Sequence, residues 1–186
     1  GCLSVLCPWK DENGEYKWGG RFNQGVVSLN LPQIAILAKG DDDKFWSLLD
    51  ERLQLCYDAL MCRHRALEGV TSDVSPVHWQ YGAIARLKKG EVIDPLLHNG
   101  YSTISLGYIG VYETTKLMRG VSHTDPVGEE FALKLMHKLR AACDKWKADT
   151  GLGFGLYGTP AESLCYRFAR IDKELFGTIN DVTDKG

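Results

Sequence analysis

Three short β-rich runs, alternating with segments of helical period, constrain this chain more than any other feature of its sequence. The first, Val26-Val27-Ser28-Leu29-Asn30-Leu31, lies in the stretch Gly25 to Ala38 and is closed by Pro32. Its β-branched content reads as a strand, and a proline, with no N–H for a sheet ladder, ends it in a turn. The second run is Ser102 to Val111 (STISLGYIGV), and the third, Phe154 to Tyr157, leads into Thr159-Pro160 and a further helix through Ile171. Runs apolar on both faces belong to sheets covered by helices on both sides. The alternation therefore predicts an α/β fold of parallel βα units rather than a sandwich.

The intervening segments carry a helical period. After Asp41, Asp42 and Asp43, the residues Phe45, Leu49, Leu53, Cys56 and Leu60 recur at spacings of four, four, three and four, with acids at the start to favour the macrodipole and Gly69 beyond the end. Asp125-Pro126 supplies an N-cap and a first-turn proline for a second long helix, with Phe131, Leu135, Leu139, Ala142 and Trp146 on one face until Gly151. Residues 71 to 100 are broken by Pro76, Gly82, Gly90, Pro95 and Gly100, which predicts a loop with one or two short helices.

Charge excludes one class of partner. With 22 Lys and Arg against 24 Asp and Glu in 186 residues, the net charge is -2, which does not suit a nucleic-acid binder working through bulk charge. At 44% hydrophobic residues the chain is too apolar for disorder and is expected to form one domain around one core. No window approaches the ~20 apolar residues of a membrane span and no signal peptide is evident, so the expectation is a soluble, cytoplasmic protein. The six cysteines, Cys2, Cys7, Cys56, Cys62, Cys143 and Cys165, lack paired CxxC spacing and fit a reducing compartment. The chain opens on Gly1-Cys2 and stops on a polar stretch from Gly177 to Gly186, and is read as a piece of a longer protein.

Ligands of parallel α/β folds collect at the carboxyl ends of strands. Thr159-Pro160-Ala161-Glu162-Ser163 stands there as a capping box, with Thr159 at N-cap, Pro160 at N1 and Glu162 at N3. The backbone N–H groups of such a turn suit a phosphate, and Ser163 adds a hydroxyl; the alternative is a box that only starts a helix. Glu113, after Gly107-Tyr108-Ile109-Gly110-Val111-Tyr112, is a carboxylate among apolar and aromatic neighbours and suits general acid and base work, or else simply favours the helix dipole. Asn23, between Gly20 and Gly25, can donate to and accept from a sugar hydroxyl, or can form a turn. Cys2 precedes a polar, Gly-rich loop, Trp9 to Gly20, unlike the buried setting usual for a free cysteine. His64, His78, His98, His123 and His137 are scattered without ligand spacing, and no metal site is predicted. GxGxxG, Walker and GxSxG motifs are absent, and Lys88-Lys89 is a lone basic pair.

Gly1-Cys2, GRFNQGVVSLNLPQIA at 20 to 35, STISLGYIGVYE at 102 to 113 and TPAESLCYRFARID at 159 to 172 together resemble the anaerobic, class III ribonucleoside-triphosphate reductases, which are glycyl-radical enzymes. The resemblance implies a ten-stranded α/β barrel of two half-barrels, with residues 1 to 24 as the end of a finger loop and 25 to 186 as βα units of the second half-barrel, all in one partial domain. It implies that Cys2 is the thiyl-radical cysteine that takes the 3′ hydrogen of the ribose. Glu113 becomes the base for the 3′-hydroxyl and Asn23 a ribose contact, while residues Thr159 to Ser163 hold the phosphates. It also implies a ribonucleoside triphosphate substrate, formate as reductant, a radical-SAM activating enzyme and a homodimer at full length.

No cofactor is expected within this chain. The family's glycyl-radical loop, four-cysteine zinc site, nucleotide-sensing region and first half-barrel cysteine are not among these residues, so the isolated chain is expected to be inactive. Two alternatives stand beside this: a glycyl-radical enzyme of the pyruvate formate-lyase type, which typically uses adjacent finger-loop cysteines where here Leu3 follows Cys2, and a non-catalytic nucleotide-binding module.

Overall fold

A computed structural model describes residues 5–160 and 163–184. In chain order it comprises β1 (Phe22–Asn30), α1 (Leu31–Ala38), α2 (Asp42–Arg65), α3 (Pro76–Trp79), β2 (Ser102–Ile109), α4 (Val111–Arg119), α5 (Pro126–Thr150), β3 (Phe154–Gly158) and α6 (Ser163–Phe176). Single 3-10 turns at Ser72–Val74 and Asp94–Leu97 complete the broken segment expected between residues 71 and 100.

The strands pair in the order β1-β2-β3. Ile104 N donates to Gly153 O at 2.9 Å, and further on Thr159 N donates to Tyr108 O at 3.2 Å. Both partners advance together, which makes the pairing parallel. As the central strand, β2 is buried on both faces, with Thr103, Ile104, Ser105 and Leu106 at most 1% exposed. Two of those four are hydroxyl residues, and a buried hydroxyl must find a partner.

Two compact units divide the chain: one takes in the residues up to Val27 with Cys56–Leu106 and Arg140–Tyr157, the other Ser28–Leu55, Gly107–Leu139 and the residues from Gly158 on. In the first, Tyr57, Trp146 and Phe154 pack with ring centroids 5.3 to 6.0 Å apart beside buried Cys56, Leu60, Leu106 and Cys143. A smaller cluster of Trp79, Ile93, Leu96 and Leu97 receives Phe22, whose ring meets Trp79 edge-on at 5.0 Å. In the second, α1 packs on α4, and Phe45 meets Phe131 at 5.4 Å above buried Leu49, Leu135 and Leu139. Arg119 grips Asp42 through two 2.8 Å bonds, a fork-to-carboxylate pair that holds the Asp42 carboxyl below its ordinary range.

The turn expected after the first strand is instead a helix, since α1 begins at Leu31 with Pro32 in its first turn. Asn30 closes the strand and caps the helix, its side chain accepting from Gln33 N at 3.4 Å. A first-turn N–H has no intrahelical partner, so proline is harmless there. The long helices start as the sequence implies, with Lys44 N donating to Asp41 Oδ1 and Val127 N to Asp125 Oδ1, both at 3.0 Å. Caps of this kind are worth about 1 kcal/mol each. The last helix runs past Ile171 to Phe176.

Candidate active site

In the first unit Asn23 lies on β1, half-buried, with every polar atom engaged. Its Nδ2 donates to Val5 O at 2.8 Å and to Ser105 Oγ at 2.6 Å, and its Oδ1 accepts from Gly25 N at 2.7 Å. A carbonyl can only accept and a backbone N–H can only donate, so these partners fix the orientation of the amide. Gln24, the next residue, donates to Ser102 Oγ at 2.7 Å and shares a 3.0 Å bond with His64 Nδ1. Asn23 lines a groove of about 440 Å³ with Leu6, Arg21, Phe22, His78, Trp79 and Ile84.

In the second unit Glu113 stands in the first turn of α4, directly after β2. Gly110 makes the turn between them: it sits at φ 89°, and a Cβ there would run into the ring of Pro32. A side chain would also be strained at that φ. Glu113 is half-buried and makes no hydrogen bond or ion pair among the described residues. Its carboxylate faces a cavity of about 160 Å³ shared with Asn30, Pro32, Cys165, Phe168 and Asp172. Ligand pockets start near roughly 300 Å³, so this space takes part of a ligand rather than the whole of one. Burial, with the Glu113 charge adding to it, raises the Cys165 thiol above its ordinary pKa and keeps it protonated at neutral pH.

Thr159 and Pro160 follow β3, half-buried, and Ser163 opens the described part of α6 on an exposed face. The Thr159 hydroxyl bonds Ser28 Oγ at 2.8 Å, a partner on β1. Both hydroxyls lie where a Cβ on Gly107 would fall, so glycine is required at that point of β2. Glu113, Thr159, Pro160 and Ser163 thus belong to one unit and Asn23 to the other. Cys2, Ala161 and Glu162 lie outside the described residues.

Asp172 is the site residue that sequence reasoning missed. It is 1% exposed, and it accepts from Asn30 Nδ2 at 2.8 Å and from Gln33 Nε2 at 2.7 Å. Cys165, Phe168, Ala169 and Asp172 all line the cavity from α6, at the helical spacing of a single face. An acidic residue on an otherwise apolar helical face was the available signal. Among the described residues there is no group of three or more His, Cys, Asp or Glu placed to hold a metal ion. No helix among them is long and apolar enough to cross a membrane.

A parallel α/β sheet, with a carboxylate and a hydroxyl pair at the carboxyl ends of its strands, defines a chain built to present polar groups to a ligand. The sequence profile of the anaerobic ribonucleoside-triphosphate reductases matches residues 1–186, and the chain belongs to that family. The anaerobic ribonucleoside-triphosphate reductase of Salmonella typhimurium is 48% identical over 190 residues, covering 100% of this chain and 26% of that protein. The chain thus spans about a quarter of the length of such a relative. Among solved structures, the anaerobic ribonucleotide reductase of Thermotoga maritima with citrate in its active site superposes with a TM-score of 0.71 at 22% identity, over 95% of this chain and 31% of that one. The same enzyme in complex with dATP and CTP gives 0.70 at 21% identity, over 95% and 28%. At these identities the likeness is one of fold.

Proposed function

We propose that these residues form part of the catalytic barrel of an anaerobic, cytoplasmic reductase that converts ribonucleoside triphosphates to deoxyribonucleoside triphosphates. The observation that carries this reading is the 48% identity to a curated reductase across the whole chain. The Thermotoga enzyme complexed with dATP and CTP supports a nucleotide ligand.

Cys2, as a thiyl radical, abstracts the 3′ hydrogen of the ribose. Glu113, left without a polar partner among the described residues, takes the 3′-hydroxyl proton, and the 2′-hydroxyl departs as water. Formate supplies the two electrons and leaves as carbon dioxide, and the Cys2 thiol returns its hydrogen to C3′. The net reaction consumes one nucleotide, one formate and one proton, and yields one deoxynucleotide, one carbon dioxide and one water. The backbone at Thr159 to Ser163, at the end of β3, holds the phosphates. In the full-length protein a glycyl radical, generated by a radical-SAM activating enzyme, would supply the oxidising equivalent, and Cys2 is the residue of this chain that would receive it. Among the described residues no group of three or more His, Cys, Asp or Glu is placed to hold zinc. The full-length protein acts as a homodimer.

The test is an anaerobic turnover assay of the activated full-length protein with each ribonucleoside triphosphate and carbon-labelled formate. Equal amounts of deoxynucleotide and labelled carbon dioxide are expected. A protein that carries the glycyl radical and yet reduces no ribonucleotide contradicts the reading.

A further inference from the structure

We propose that Asp172 is a positioning residue for Glu113, acting through Asn30, Gln33 and the Pro32 ring that lies between them in the chain. This rests on the assignment of Glu113 as the base for the 3′-hydroxyl proton.

Glu113 makes no hydrogen bond or ion pair among the described residues, so its carboxylate is placed by packing and by the backbone that carries it. That backbone starts from Gly110, which precedes α4 in the left-handed region at φ 89°. The Pro32 ring fills the space over Gly110 that a Cβ would take, and Glu113 Oε2 lies 3.5 Å from the same point. Ring and carboxylate therefore border one small volume. Because α1 packs on α4 and such interiors have few voids, a shift in the first turn of α1 moves the surface against which Glu113 sits.

That first turn is held from α6. Within α1 itself the capping bond from Gln33 N to Asn30 Oδ1 is long, at 3.4 Å, and weak. The shorter bonds run to Asp172: Asn30 Nδ2 donates to its Oδ2 at 2.8 Å and Gln33 Nε2 to its Oδ1 at 2.7 Å. One buried carboxyl group thus bridges the residues that bracket Leu31 and Pro32. Asn30, Pro32, Glu113 and Asp172 also line the same cavity. A general base works within about 2.6 to 3.2 Å of the proton's parent atom, and a misplacement of about 1 Å can cost about 10²-fold in rate.

The pairing also dictates which residue types can exchange. Asn30 cannot turn its amide round without giving up the cap, so it must meet an acceptor at position 172. Asn30→Asp alone keeps the capping oxygen but sets carboxyl against carboxyl. Adding Asp172→Asn returns a donor to that bond and leaves an amide oxygen for Gln33.

The experiment measures kcat, KM for a ribonucleoside triphosphate, and glycyl-radical content by electron paramagnetic resonance, in the activated full-length reductase, below each variant's thermal unfolding midpoint. Asn30→Asp and Pro32→Ala are each expected to lower kcat by roughly 10- to 10²-fold while KM and radical content stay at wild-type values. The double variant Asn30→Asp/Asp172→Asn is expected to return kcat to within about threefold of wild type, the coupling of two residues that share a bond. Wild-type kcat in folded Asn30→Asp and Pro32→Ala, a loss confined to KM, or a double variant no better than Asn30→Asp would overturn the proposal. If Asn30→Asp does not fold, Gln33→Met decides: it removes the other bond to Asp172 from a half-buried position, and the same loss of kcat is expected. Full kcat in Glu113→Gln defeats the assignment of Glu113 itself, whereas an inactive Glu113→Gln beside unimpaired Asn30→Asp and Pro32→Ala defeats the positioning role alone.

Discussion

Asn23 and Glu113 are both polar, half-buried and close to strand ends, and the molecule treats them in opposite ways. Three hydrogen bonds of 2.6 to 2.8 Å pin Asn23, whereas Glu113 has no such bond among the described residues and faces a cavity. A group that fixes geometry gains from saturation, because each bond removes a degree of freedom. A group that exchanges a proton is better left unpaired, since a strong partner would favour one protonation state over the other. Under the proposed function, the contrast gives Asn23 a geometric role and leaves the proton transfer to Glu113.

The largest expected effect separates the two directly. Glu113→Gln in the full-length reductase should lower kcat by roughly 10²–10⁴-fold, the usual worth of a general base, with the thermal unfolding midpoint unchanged. A drop in the midpoint, with kcat kept, would make Glu113 a structural residue and dissolve the contrast.

Next comes the support of the cavity. Asp172→Ala leaves the Asn30 and Gln33 amides without their acceptor, which should destabilise the fold by about 1–3 kcal/mol in thermal denaturation. Gly107→Ala should cost a similar ~1–3 kcal/mol, because its methyl group falls on the Ser28 and Thr159 hydroxyls. An unchanged midpoint in either variant would show that the second unit is less tightly built than its contacts imply.

A smaller effect tests the network behind Asn23. Burial is the main cause lowering the His64 pKa below its ordinary 6.5; His98 and Arg65 add to it, and Glu68 opposes it. The unfolded chain then binds a proton more readily than the folded one. The contribution of neutral His64 is fully present above about pH 6.5, and it is lost as pH falls from there through the folded-state pKa. Thermal midpoints of His64→Gln should accordingly fall less than wild type between neutral and mildly acid pH. Equal slopes would contradict this.

The smallest effect is a difference in rate between two thiols. Burial pushes Cys143 up to about 12, with Asp144 adding to the shift, so its reactive thiolate is scarce at neutral pH. Cys62 is exposed and should alkylate far faster, as peptide mapping after brief iodoacetamide treatment would show.

Much of this arrangement is legible in the sequence because it is local. The β-branched runs give β2 and β3 close to their observed limits, whereas β1 begins at Phe22, ahead of the Val26 run, and takes in Asn23, which the sequence placed before the strand; Glu113 falls in the first helical turn after β2, where the Gly110 turn predicts it. Pro32 misleads only because a proline that ends a strand can equally open a helix, and the Asn30 cap decides between the two. The rest depends on partners far apart in the chain. Thr159 and Ser28 are separated by 131 residues, and Asn23 and Ser105 by 82, so no local pattern announces either bond. Asp172 stands out locally as an acid on an apolar helical face, but its partners lie 142 and 139 residues away. Ser102, Thr103 and Ser105 read simply as strand residues; only the packed fold shows them as buried hydroxyls bonded to Gln24, Cys7 and Asn23.

The most direct measurement of the whole account is made on Cys2→Ser in the full-length, anaerobically activated protein, with glycyl-radical content and deoxynucleotide yield recorded in the same sample. The account predicts a radical signal equal to wild type and no deoxynucleotide. Deoxynucleotide formed at a rate comparable to wild type would contradict it.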